Sequence, residues 1–214
     1  KRNQIMPNWI NANTTIDIKK FSYENFIASN LIGNLSYKKG IVSARNLNAS
    51  SLNGEIFGNF TLAEPITNHL RLISDVVLNK INIRNSFDAF NNYGQTFITQ
   101  KQLKGIGSAK INIESHWKPN FILDKKKLKI KSHLIVEKGE LIDFKPLESL
   151  SSYISLNELK HVKFSTFENT IDVSNEIITI PTMEIKSSAL SVFLSGTHTF
   201  NQQINYDLTL LLSE

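Results

Sequence analysis

Along most of this chain, apolar and polar side chains alternate with a period of two. In the stretch 128–136, positions Leu128, Ile130, Leu134 and Val136 are apolar, while Lys127, Lys129, Lys131 and His133 are not. Successive strand side chains point to opposite faces, so this stretch predicts a strand with one apolar and one solvated side. Leu52, Ile56, Phe60 and Leu62 support the same reading over 52–62. So do Leu190, Val192 and Leu194, with Phe193 as the exception on the polar side. Near the C-terminus Ile204, Tyr206, Leu208, Leu210 and Leu212 alternate with Asn205, Asp207 and Thr209, and Leu211 is out of phase. β-Branched residues and asparagine are plentiful, and neither favours helix interiors. With strands of about 5–10 residues, the pattern predicts roughly ten to thirteen of them.

Punctuation refines the picture. Lys38-Lys39-Gly40 and Glu137-Lys138-Gly139-Glu140 each separate apolar stretches and predict tight hairpins, where glycine supplies a positive φ. Connections this short imply antiparallel pairing. Gly105-Ile106-Gly107 lacks the third glycine of a phosphate loop and leads into a strand-like stretch, so a strand entry or bulge is expected. Pro181 cannot donate to a ladder, which predicts an edge strand or a bulge. Two stretches read as helical. Ser86 can cap a short helix carrying Phe87 and Phe90 on one side. Over 146–162, Pro146 suits a first helical position and Leu147, Leu150, Ile154, Leu156 and Leu159 recur at steps mostly near three and four. Ser155 or Asn157 would split that stretch into two turns.

The expected fold class is mainly β: a curved antiparallel sheet forming a groove or partly open sandwich, with one or two short helices. One domain is expected over 1–214, with a β-rich half (1–140) and a helix-then-strands half (141–214). A compact chain of 24.3 kDa should expose ~10,000 Å². Helices this few leave apolar strand faces uncovered. Either a second sheet seals them in a dry sandwich, or the sheet forms a trough with a partly open lining. An acyl chain is the simplest occupant of such a trough, at about 0.8 kcal/mol per buried methylene. The expected lining is Leu52, Ile56, Phe60, Leu62, Leu128, Ile130, Leu134, Val136, Leu190, Val192, Leu194, Leu208, Leu210 and Leu212.

Composition narrows the chemistry. Without cysteine there is no disulfide scaffold, thiolate catalysis or cysteine-based zinc site. The five histidines (His69, His116, His133, His161 and His198) lack metal-ligand spacing, no Gly-x-Ser-x-Gly elbow occurs, and the carboxylates are scattered. The chain therefore reads as non-enzymatic, with no cofactor and no metal. No apolar run approaches the ~18 residues of a membrane span. The basic run Lys125, Lys126, Lys127, Lys129 and Lys131 reads as a solvated strand face, or as a site for anionic lipid head groups. A net charge of only +5, with few aromatics beside those lysines, argues against nucleic acid.

From Lys138 onward the sequence resembles the C-terminal region of AsmA-like proteins, especially the long Bacteroidetes-type versions related to TamB. The residues that carry the resemblance are Lys138-Gly139-Glu140-Leu141 with Asp143-Phe144-Lys145-Pro146-Leu147, Val162 to Asn169, Ile180-Pro181-Thr182-Met183-Glu184-Ile185, Leu194-Ser195-Gly196-Thr197, and Tyr206-Asp207-Leu208. Upstream only strand–glycine–strand patterns such as Leu52-Asn53-Gly54 and Leu103-Lys104-Gly105 match. The resemblance implies a β-groove protein of the Gram-negative envelope, concerned with phospholipid movement or outer-membrane assembly, and it carries over no catalytic residue. It implies a periplasmic module, with phospholipid or another acyl-chain lipid as partner. In the full-length protein it further implies an inner-membrane anchor in an N-terminal part outside this sequence, so that the present chain is expected to be a fragment. The alternative expectation is a structural or adhesive β-sandwich that binds protein or glycan partners over a closed dry core.

Overall fold

The computed structural model describes residues 9–66, 69–94, 96–152, 155–187 and 190–212. They form one antiparallel sheet of thirteen strands. In chain order these are β1 (Asn11–Tyr23), β2 (Phe26–Lys38), β3 (Ile41–Ser51), β4 (Gly54–Ile66), β5 (His69–Asn82), β6 (Leu103–Lys118), β7 (Ile122–Leu123), β8 (Lys129–Ile142), β9 (His161–Phe164), β10 (Phe167–Ser174), β11 (Ile177–Lys186), β12 (Leu190–Thr199) and β13 (Ile204–Leu212). The order across the sheet follows the sequence, β1 to β6, then β8, then β10 to β13. The short β7 pairs with β6, and β9 pairs with β8 beside β10. The sheet is open, with β1 and β13 as its edges. It runs without interruption past position 140, which lies inside β8.

Two-residue turns explain several reversals. Lys39-Gly40, Leu52-Asn53 and Asn175-Glu176 all have positive φ at both residues, the geometry whose twist matches paired strands. The hairpin expected at 137–140 is absent. β8 continues through it, and Lys138 (φ 52) forms a bulge opposite Gly105 (φ 145). A turn and a bulge both need a positive φ, which is why the same residues suggested a reversal. The Gly105 bulge matches its reading. Pro181 also sits at a bulge, between Ile180 and Met183, but on an interior strand rather than an edge.

Five of the bulges share one rule. On the apolar face the side chains step by two, then slip by three at Ala28 to Leu31, Ala44 to Leu47, Leu78 to Ile81, Val136 to Gly139 and Ile180 to Met183. In the first four slips the residue just before the new position has positive φ: Asn30, Asn46, Lys80 and Lys138. An extra residue reverses the phase of a strand. Each bulge thus rephases a sequence whose alternation has slipped and keeps its apolar series on one side.

Helices are few. α1 (Ile83–Ala89) is capped by Asn82, whose side chain accepts from Asn85 N at 3.0 Å. Ser86, the expected cap, is instead buried inside this helix. The stretch 146–162 divides into a 3-10 turn (Lys145–Leu150), α2 (Leu156–Lys160) and the strand β9. Pro146 stands in the first turn of the 3-10 segment, whereas Ile154 lies outside the described residues.

Most fully buried residues lie where these helices meet the sheet. Ser86, Ala89, Ile81, Ala49, Ser51 and Ala28 cluster at the α1 end, and Leu159 and Val162 lie at α2 and β9. Elsewhere the sheet is a single layer. The accessible surface is 13911 Å², roughly 40% above the ~10,000 Å² of a compact chain of this mass. A closed sandwich needs a second sheet, and the described residues form one.

Candidate functional site

The ladder register sorts side chains onto two faces, because directly opposed residues share a side. One rank runs Leu35, Ala44, Phe60, Ser74, Ile113, Ile130, Val173, Ile178 from β2 to β11. The next rank on that face runs Gly33, then Leu47, Gly58, Val76, Ile111, Ser132, Ile171. On the opposite face a rank of polar residues crosses the sheet: Asn59, Asp75, Asn112, Lys131, Asp172, Thr179, Thr197, Asn205. Thr15, Asn34 and Arg45 form a polar rank at the β1 side.

Register brings most of the expected lining together. Ile56, Phe60 and Leu62 of β4 share the apolar face with Ile130, Leu134 and Val136 of β8. Val192 and Leu194 of β12 face the same way, opposite Leu210 and Leu208, and Leu128 precedes β8 in phase with Ile130. None of these is fully buried: Leu208 is 61% and Leu210 37% exposed, and the rest are half-buried. Leu190 and Leu212 oppose each other in the backbone ladder, and their side chains lie outside the described set. Leu52 departs from expectation. It is the first turn residue between β3 and β4 (φ 54), and its carbonyl accepts from Asn82 N at 2.7 Å. Strand phase was extrapolated one turn too far there.

The lysine run is divided, which corrects its reading as one strand face. Lys125–Lys127 form an exposed 3-10 turn leading into β8, whereas Lys129 and Lys131 are on the polar face, away from Ile130 and Leu134. Strand alternation forbids Lys129 and Lys131 from sharing a side with that lining.

Ion pairs follow the polar face as well. Glu114 accepts from Arg71 Nε at 2.9 Å and lies 3.0 Å from His116 Nε2. Those hydrogen bonds, His116 first and then Arg71, hold its carboxyl below the usual glutamate range. Lys104 Nζ and His161 Nδ1 both approach Glu140 at 2.9 Å and lower it likewise, Lys104 being the larger influence. His133 pairs with Glu168 at 3.0 Å. On the apolar face, burial pushes the Tyr206 phenol up where its ring lies over Gly196.

Sequence reasoning found the β4 positions but missed what β1, β2, β3 and β5 contribute beside them on the apolar face. A hollow of 190 Å³ opens there, lined almost wholly by apolar atoms, including Phe21, Phe26, Leu31, Leu47, Ile56 and Val76. The run Leu70, Leu72, Ser74, Val76, Leu78 carried the signal, interrupted by one serine. Among the described residues no group of three His, Cys, Asp or Glu could hold a metal ion, and no helix is long and apolar enough to cross a membrane. Compared with protein-family models, curated proteins and solved structures, the chain matches none of them.

Proposed function

We propose that this chain is a non-enzymatic lipid-handling module of a bacterial envelope, holding acyl chains against the apolar face of its sheet. The observation that carries the reading is that face itself. Rank after rank of aliphatic side chains crosses a single layer, and the described residues put no second sheet over it. A large apolar surface open to water marks a site of interaction, and each methylene buried on it contributes about 0.8 kcal/mol. The resemblance of residues 138 onward to AsmA-like envelope proteins points the same way, toward a periplasmic setting and phospholipid as partner. On this reading Lys125–Lys127, at the end of β8, are the head-group candidates, while Lys129 and Lys131 face away.

Native mass spectrometry of gently purified protein, followed by lipid extraction and titration with a fluorescent fatty acid, tests the proposal. Co-purified phospholipid and saturable uptake are expected. Repeated absence of both would overturn it.

A further inference from the structure

The hollow on the β1–β5 side ends at a wall of aromatic rings. α1 leaves β5, is tied to the β3–β4 turn by Asn82 N to Leu52 O, and rests Ile83 on Gly105 and Gly107 of β6. At its C-terminal end Phe90 stacks on Phe26 of β2 (5.5 Å, 26°), so the helix spans the ends of β3 and β4 that lie between. Phe90 also stacks on Tyr93 (5.6 Å), and Tyr93 meets the edge of Phe87 (5.1 Å). Phe26 belongs to both structures, lining the hollow and holding the stack. Ala28 and Ala49 are buried at the floor of the hollow, and Ser86 and Ala89 of α1 are buried beneath the stack, whose rings Phe90 and Tyr93 keep one side open to solvent.

We propose that the Phe26–Phe90–Tyr93 stack is an end stop that halts the methyl terminus of a bound hydrocarbon chain and thereby selects chain length. This rests on the lipid reading above. The chemistry of the wall indicates which end of the lipid meets it. The only polar side-chain atom in the stack, the Tyr93 hydroxyl, is engaged by Ser86 Oγ, so the stack leaves a head group no free partner. A tail loses nothing against such a wall, whereas a carboxylate or phosphate would lose its hydration. The hollow suits a terminal segment: a ~150 Å³ apolar cavity takes benzene, so 190 Å³ accommodates about six to eight carbons.

The test is competition of saturated fatty acids, from roughly eight to twenty carbons, against a fluorescent fatty acid on the native chain and two variants. For the native protein affinity should rise by about fourfold per methylene and then level at one length. Phe90→Ala removes the middle ring, which backs Phe26, and should move that plateau to longer chains; Phe26→Trp thickens the wall and should move it to shorter ones. Circular dichroism checks folding. If Phe90→Ala does not fold, Phe26→Trp decides the matter alone. An unchanged length profile in the folded variants overturns the end stop and leaves the lipid reading standing. If the native chain binds no fatty acid of any length, both fail together.

Discussion

Leu134 lies at the middle of the apolar face, flanked by Ala109 on β6 and Asn169 on β10, and it is only half-buried. Replacing it with aspartate separates an open face from a packed one. Fully burying a leucine contributes about 1.5–3 kcal/mol, so losing a half-buried one costs about 1 kcal/mol. The poor strand preference of aspartate adds up to ~1 kcal/mol. With solvent able to reach its carboxylate, Leu134→Asp should lose about 2 kcal/mol and still fold. Under a bound acyl chain the same carboxylate is desolvated, so uptake of a fluorescent fatty acid should fall at least tenfold. The adjacent Ile135→Asp is the control, since a one-residue step places the charge on the opposite face and should spare uptake. Urea denaturation and fatty-acid titration on all three proteins read both effects. A loss beyond about 4 kcal/mol, the cost of a carboxylate buried without a partner, would show that protein covers this face. Equal uptake by Leu134→Asp and the native chain would refute lipid contact at this position.

Three further expectations follow from local geometry. A Cβ on Gly139 would fall inside the Phe164 ring that lies over it, so Gly139→Ala should destabilise by about 1–3 kcal/mol through overpacking, visible as a lowered Tm; an unchanged Tm would mean that Phe164 does not pack there. Glu140→Gln removes the negative charge and one of the two oxygens that face Lys104 and His161. Since the folded carboxyl is held low, its contribution is present above the ordinary glutamate range and lost as pH falls through the depressed folded value. Both partners, Lys104 and His161, are exposed to solvent, so screening keeps the cost to about 0.5–1 kcal/mol near neutrality, and the native–variant difference should vanish in acid denaturation curves. Finally, β10 and β11 share only three ladder pairs, Asp172–Thr179, Val173–Ile178 and Ser174–Ile177. Beyond them β10 holds β11 by Asn169 Nδ2 to Pro181 O, while the end of β9 and the residue after it reach the end of β11 through Ser165 to Lys186 O and the Phe164–Ser187 bridge. Amide hydrogen exchange should therefore release β11–β13 before β3–β6; uniform protection across both would contradict this.

Period-two alternation made the strands legible, and with them the antiparallel meander and the apolar positions of β4, β8, β12 and β13. Phase slips were harder to see. Lys138 and Gly139 looked like a reversal because nothing local distinguishes a turn from a bulge; the partner strand decides, through Gly105 on β6. The cap of α1 moved from Ser86 to Asn82 because the helix begins directly from β5, before the stretch where the aromatic spacing becomes visible. The division of the lysine run was implicit in alternation, since Lys129 and Lys131 must oppose Ile130. The aromatic wall was out of reach: Phe26 and Phe90 are far apart in sequence and meet only because α1 crosses two intervening strands.

With only one layer, each strand derives its support from the ones beside it, as the scarcity of contacts between non-adjacent strands reflects. Such an array behaves as a chain of nearest-neighbour couplings, like a repeat protein. Damage in one hairpin then spreads weakly to distant ones, and fraying begins from either flank. A pair of strands could be gained or lost during evolution while the remaining pairings stayed intact. The architecture is thus free to vary in extent, and the reach of its greasy surface grows in proportion to the number of hairpins.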